Sequence, residues 1–150
     1  TFDEVIAVIK DKPVMIDLKS LAAAELLVVA LKKKSLNVYL INSLLPDALE
    51  LVKKSNPNLS MSLQTYKRPF KTIQLANQMH LTHVGLVLYL LSPLTYWAAK
   101  RAGLKIVIYQ NYLSFILTWT WFVQLVLFFY PKLDAIITDR PDKIAKVAKR

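Results

Sequence analysis

Asp17 and Lys19, in the stretch KPVMIDLKS at 12–20, place a carboxylate and an ammonium two positions apart among residues that favour burial. The stretch reads as a short β-strand, in which successive side chains point to opposite faces. Val14, Ile16 and Leu18 then share one face, and Met15, Asp17 and Lys19 share the other. Two charges of opposite sign on one strand face can serve as an ordinary ion pair at a strand end. They can equally stand where a charged ligand binds. His80 and His83, in MHLTH, are three apart and could share a helix face. Two histidines without a third ligand make a weak metal site, so a structural or surface role is expected for both.

The elements that would carry these residues follow a simple rhythm. TFDEVIAVI starts as a helix, with Thr1 as N-cap and Asp3 and Glu4 in the first turn, where the helix dipole favours negative charge. It reads as a helix already in progress, so further sequence is expected before residue 1; no signal-peptide pattern is visible. A strand at 13–18 is followed by a helix at 20–34, which ends in lysines as a helix C-terminus prefers. NVYLINS at 37–43 is a strand, LPDALELVKKSN a helix with Pro46 near its start, and LSMSLQ at 59–64 a strand. Residues 66–78 form a basic loop or helix. HVGLVLYLL is too short for periodicity to decide between strand and buried helix. PLTYWAAKRAG is a helix closed by Gly103 at C′, 104–110 a strand, KLDAIIT at 132–138 the last strand, and RPDKIAKVAKR a short basic helix. Strand then helix, repeated about five times, predicts a parallel α/β fold. That is too few units to close an eight-stranded barrel of the usual ~250 residues.

With 150 residues the chain can form one domain around one core. Lys and Arg number 20 against 10 Asp and Glu, a formal charge of +10, which suits anionic partners. No recognition motif or aromatic platform interleaves with the basic clusters, so nucleic acid is not an expected partner. The absence of Cys excludes disulfides and thiolate metal sites.

Taken in order, KPVMIDLKS, LNVYLINSLLPDALELVKKSNPNLSMSLQT, RAGLKIVIYQN and LDAIITDRPDKI resemble the C-terminal part of the glycerophosphodiester phosphodiesterase family. The resemblance covers nearly all of the chain, and the region around SLQTYKRPF is most similar to the lysophospholipid-hydrolysing branch. It implies a partial TIM barrel of the phospholipase-C-like type, about strands 4 to 8, with residues 1–150 as its C-terminal portion. The family's Glu/Asp-x-Lys is matched by Asp17 and Lys19. Its Ser-Phe is matched at Ser43, with Leu44 in place of Phe and Pro46 following. Its Ile-Thr-Asp-x-Pro is matched by Ile137, Thr138, Asp139 and Pro141. The resemblance implies that Asp17 is a ligand of a divalent cation, Ca²⁺ or Mg²⁺, and that Lys19 lies at the substrate phosphate. In a barrel these positions fall at the strands' C-terminal rim, where chemistry gathers. The family's substrate-lining Trp is absent, and Tyr109 is the residue that could supply that aromatic wall.

The family's His-Arg-Gly, Glu-x-Asp and His-Asp motifs do not occur in this sequence. One carboxylate cannot satisfy Ca²⁺, which takes about six to eight oxygens, and the acid–base histidines are missing. This chain alone is therefore expected to hold no catalytic residue and to be inactive. Two functions stay open. With its N-terminal half, the protein would hydrolyse glycerophosphodiesters or lysophospholipids with a divalent cation. Alternatively, it is a catalytically inactive structural subunit of a membrane complex, with no cofactor.

The second possibility draws on residues 112–130, YLSFILTWTWFVQLVLFFY, within a stretch that carries no charge between Lys105 and Lys132. As a helix, nineteen residues at 1.5 Å each would span about 28 Å, near the ~30 Å bilayer core. A helix in or along a membrane, one buried against other proteins, and a merely apolar barrel helix all fit. The expected partner through 112–130 is membrane lipid or a membrane-protein complex. The expected location is membrane-associated, with the mitochondrial inner membrane or endomembrane both compatible.

Overall fold

The computed structural model describes residues 2–9, 12–33, 36–109, 128–130 and 132–137. Six strands, β1 (Val14–Leu18), β2 (Val38–Ser43), β3 (Met61–Thr65), β4 (His83–Val87), β5 (Lys105–Tyr109) and β6 (Ala135–Ile137), form one sheet. Every neighbouring pair is parallel, and spatial order equals sequence order. A doubly wound sheet would reverse its order at a switch point. An order that never reverses, with right-handed crossovers, keeps all the helices on one side. The result is an arc of a TIM-type barrel. The helices are α1 (Phe2–Ile9), α2 (Leu21–Lys33), α3 (Pro46–Ser55), α4 (Pro69–Gln78) and α5 (Pro93–Arg101).

The segment that periodicity left undecided divides in two. His83–Val87 is a fully buried strand, and Leu88–Leu90 is a single 3₁₀ turn. Its continuous apolar run is what a parallel strand covered on both faces requires. The sheet therefore has six strands where the sequence pattern counted about five units. Residues 66–78 resolve into a loop, Tyr66–Arg68, and then α4, which Pro69 opens. Pro46 and Pro93 open α3 and α5 in the same way, since a proline at the first helical position loses no needed N–H. At α5 the Ser92 hydroxyl accepts from the Thr95 amide at 3.2 Å, and Thr95 Oγ1 accepts from the Ser92 amide at 2.8 Å. This reciprocal capping box fixes where the helix starts. Gly103 follows with φ of 73°, the left-handed end that was read from the sequence.

The two faces of the sheet have different cores. On the helix side Leu18, Ile41, Met61, Leu63, Val84, Leu86, Ile106 and Ile108 pack with α-helical Ala24, Leu27, Leu49, Val52, Ile73, Ala76 and Ala99. Each Leu, Ile, Val or Met among them contributes about 1.5–3 kcal/mol by leaving water. On the other side lies a smaller cluster of Leu40, Val87, Val107 and Tyr109, against which Tyr66, Leu90, Ala135 and Ile137 pack. No helix residue belongs to it, so this is the lumen side of the arc.

The expected partnering through 112–130 is corrected. Among the described residues no helix is long and apolar enough to cross a membrane. Residues 112–127 lie outside the described part. The remainder is a short helical end, Phe128–Phe129, followed by Tyr130, whose ring packs on Tyr96 of α5 with centroids 5.1 Å apart. A tyrosine committed to the barrel's own helix layer ties that end of the stretch to the fold, and an apolar helix presented to lipid or to a membrane complex has no support.

Candidate functional site

Strand pairing builds the site. Register places Asp17 of β1 beside Asn42 of β2, Asn42 beside Ser62 of β3, and Gln64 of β3 beside Gly85 of β4. Paired positions in a parallel sheet share a face, so Asp17, Asn42, Ser62, Gln64 and Gly85 all face the lumen with Tyr109. Asp17, Asn42 and Gln64 are each the penultimate residue of their strand and Tyr109 is the last of its own. The polar side chains thus gather towards the C-terminal ends, where parallel barrels place their chemistry.

Asp17 and Lys19 do come together, as an ion pair and hydrogen bond. The Asp17 carboxylate is about one-third exposed and the Lys19 ammonium mostly so. That carboxylate holds the Lys19 pKa above its ordinary value. The other oxygen of Asp17 accepts from Asn42 Nδ2 at 3.0 Å, and the same amide donates to Gln64 Oε1 at 2.9 Å. Gln64 Nε2 in turn donates to the Tyr66 hydroxyl at 3.0 Å. A chain of four polar groups therefore runs from Asp17 across three strands to the loop after β3. Sequence reasoning found its first member and missed Asn42 and Gln64. The signal was available in principle, because an Asn and a Gln one residue from the end of apolar strands are costly unless they are bonded.

Three buried polar atoms cluster on this face: Asn42 Oδ1 has no hydrogen-bond partner among the described residues, and Ser62 Oγ and Tyr109 Oη have none but each other. Such groups are rare in folded proteins and call for water or a ligand. Burial, followed by the negative charge of Asp17, pushes the Tyr109 hydroxyl well above its ordinary pKa against the opposing hydrogen bond with Ser62, so it stays protonated. Tyr109 reaches its place because Gly85 has no side chain. A Cβ on Gly85 would lie 2.7 Å from a Tyr109 ring carbon and 3.2 Å from Ser62 Oγ.

The other residues singled out in the sequence have different places. Ser43 ends β2, where its hydroxyl donates to the Leu18 carbonyl at 2.8 Å and accepts the Leu45 amide at 3.0 Å. It ties β1 to the turn into α3. Thr138, Asp139 and Pro141 lie outside the described residues. His80 and His83 do not share a helix face. His80 sits in the turn after α4 with φ of 51°, and His83 begins β4, buried, with Nδ1 2.7 Å from Thr82 Oγ1. By register His83 pairs with Ser62 and so shares the luminal face, three strands away from Asp17.

A divalent cation needs more than these residues offer. Among the described residues no group of three or more His, Cys, Asp or Glu could hold a metal. Both oxygens of the one luminal carboxylate are already engaged, one by Lys19 and the other by Asn42. On its own the described part does not fit a Ca²⁺ or Mg²⁺ centre.

No protein-family model matches the chain, and no curated protein matches its sequence. Solved structures do match. A protein from Galdieria sulphuraria, provisionally named a glycerophosphodiester phosphodiesterase, superposes with a TM-score of 0.74 at 14% identity, over 99% of this chain and 63% of its own. One from Silicibacter pomeroyi DSS-3, provisionally named a glycerophosphoryl diester phosphodiesterase, has a TM-score of 0.64 at 15% identity, over 89% of this chain and 48% of its own. The glycerophosphodiester phosphodiesterase of Agrobacterium tumefaciens C58 has a TM-score of 0.56 at 16% identity, over 97% of this chain and 59% of its own. The chain thus spans less than two thirds of each, and what the likeness shows is the fold: the described residues have the architecture of a partial TIM barrel like that of these structures.

Proposed function

We propose that this chain is the C-terminal portion of a glycerophosphodiester phosphodiesterase-like protein, and that its luminal polar cluster binds the phosphodiester. The observation that carries this reading is the Asp17–Lys19 pair at the strands' C-terminal ends, beside Asn42 Oδ1, Ser62 Oγ and Tyr109 Oη, buried polar atoms that no other described group satisfies. Lys19 would lie at the phosphate, where an ammonium offsets the ester's charge. Tyr109 and Ser62 would bond ester or glycerol oxygens. Asp17 would orient Lys19, and would give an oxygen to a Ca²⁺ or Mg²⁺ only by releasing Lys19 or Asn42, with the remaining ligands supplied from outside the described residues. The acid and base of hydrolysis would come from there too, since His83, the described histidine on the luminal face, pairs three strands away from Asp17. The substrate would be a glycerophosphodiester or a lysophospholipid.

The full-length protein should hydrolyse glycerophosphocholine or lysophospholipid, lose turnover with chelator, and regain it with added Ca²⁺ or Mg²⁺. No metal-dependent turnover on either substrate would remove the hydrolytic claim. A second, non-catalytic reading is favoured by one observation, that Asp17 is already neutralised by Lys19 and Asn42. On that reading the cluster is structural, and Asp17→Ala lowers stability without changing any ligand affinity.

A further inference from the structure

A cavity of about 530 Å³ opens where the start of α3, the end of β3 and the first turns of α4 meet. Its lining divides by chemistry. Leu44, Leu63 and Leu75 give it an apolar side, and Lys67, Arg68 and Lys71 give it three cations, with no Asp or Glu among the lining residues. Three lysines elsewhere are matched, Lys19 by Asp17, Lys54 by Glu50 at 3.0 Å, and Lys100 by Asp134 at 3.1 Å. Among the described residues the three cavity cations are in no ion pair. The loop that carries two of them is held in place, because Thr65 Oγ1 accepts the amides of Lys67 and Arg68 at 3.3 and 3.2 Å. Arg68 stands at the N-cap of α4. Like charges converging on a concave wall focus a positive field that an anion would offset.

The cavity also adjoins the luminal cluster. Gln64 lines it and accepts from Asn42, which donates to Asp17. We propose that this cavity is a second anion subsite, which receives a phosphomonoester on the headgroup of a ligand whose phosphodiester sits at Lys19. The inference rests on the reading of Lys19 given above. It narrows the ligand class to glycerophosphodiesters with a phosphorylated headgroup, against those with a trimethylammonium one.

Calorimetric titration of the full-length protein at low ionic strength, with chelator present to prevent turnover, tests it. The probes are inorganic phosphate, glycerophosphocholine and a glycerophosphodiester whose headgroup carries a phosphomonoester. The phosphorylated ligand should bind roughly tenfold tighter than glycerophosphocholine. The exposed-site double variant Lys67→Ala/Lys71→Ala should lose inorganic phosphate binding and reduce that preference to within about twofold. Lys54→Ala, at a matched pair on another surface, should change neither. Equal affinity for the two diesters in the unaltered protein, or a preference that survives the double variant, would overturn the subsite. Lys19→Ala separates the two readings. It should weaken both diesters alike and leave inorganic phosphate unaffected. If it changes neither diester while the double variant still loses phosphate, the Lys19 reading falls and the anion cavity stands.

Discussion

Gly85 and Tyr109 form a matched pair on the lumen side, and each makes its own prediction. Gly85→Ala drives a methyl into the Tyr109 ring and close to the Gln64 backbone, where Cα would be 3.3 Å away. Overpacking of this kind costs about 1–3 kcal/mol, to be read as a lowered midpoint in denaturant unfolding. Tyr109→Phe removes a buried hydroxyl whose one hydrogen-bonding neighbour among the described residues is Ser62. Stability should move by no more than about 1 kcal/mol while phosphodiester affinity falls, a split between folding and binding that a purely structural tyrosine would not give. His83 predicts a pH effect. Burial first, and then the neighbouring Lys105 and Lys100, hold its pKa below the ordinary 6.5, with Asp134 opposing. The native state therefore takes up a proton less readily than the unfolded chain, so stability contributed by neutral His83 is present above pH 6.5 and drains away as pH falls below it. His83→Gln should flatten that part of the stability profile in thermal melts between pH 7.5 and 5.

At the scale of elements, helix ends decide how the barrel units are phased. Ser92 and Thr95 close the start of α5 with bonds in both directions, and Thr95 Oγ1 also donates to the Leu90 carbonyl at 2.7 Å. Ser92→Ala should cost about 1 kcal/mol, and a hydrogen-exchange measurement should place the loss in the first turn of α5. At the other end of α4, Lys53 of α3 donates to the carbonyls of Met79 and His80. A cation at a helix C-terminus complements the dipole and joins two consecutive crossovers. Asp134 does similar work before β6, where its carboxylate accepts the Ile106 amide at 2.8 Å and the Lys100 ammonium at 3.1 Å. None of these three links has a local sequence signature beyond the Ser-Pro-x-Thr of the cap, because each joins residues that are distant along the chain or depends on rotamers.

For the molecule as a whole, the six strands form an arc with β1 and β6 at its open edges. Edge strands with unpaired backbone groups template further pairing, and the related structures are longer than this chain. Residues 1–150 should therefore unfold over a broad transition, with single-wavelength and calorimetric midpoints that do not coincide.

Local patterning was enough to give the parallel α/β rhythm, the proline-opened helices, the Gly103 end and the alternation that sends Ile16 and Leu18 to the helices and Asp17 to the lumen. These depend on neighbours one to four residues apart. The family resemblance rested on short motifs, and the described coordinates support the barrel type it implied. What the linear order could not supply was register. Only the pairing of β1 with β2 and β2 with β3 brings Asn42 and Gln64 to Asp17, only the close approach of β4 explains Gly85, and only the packing of α3 and α4 gathers three cations around one cavity. An apolar run such as 112–130 is equally ambiguous from within. Hydropathy records how much a segment avoids water, whereas what covers it is decided by elements elsewhere in the chain, as Tyr96 does for Tyr130.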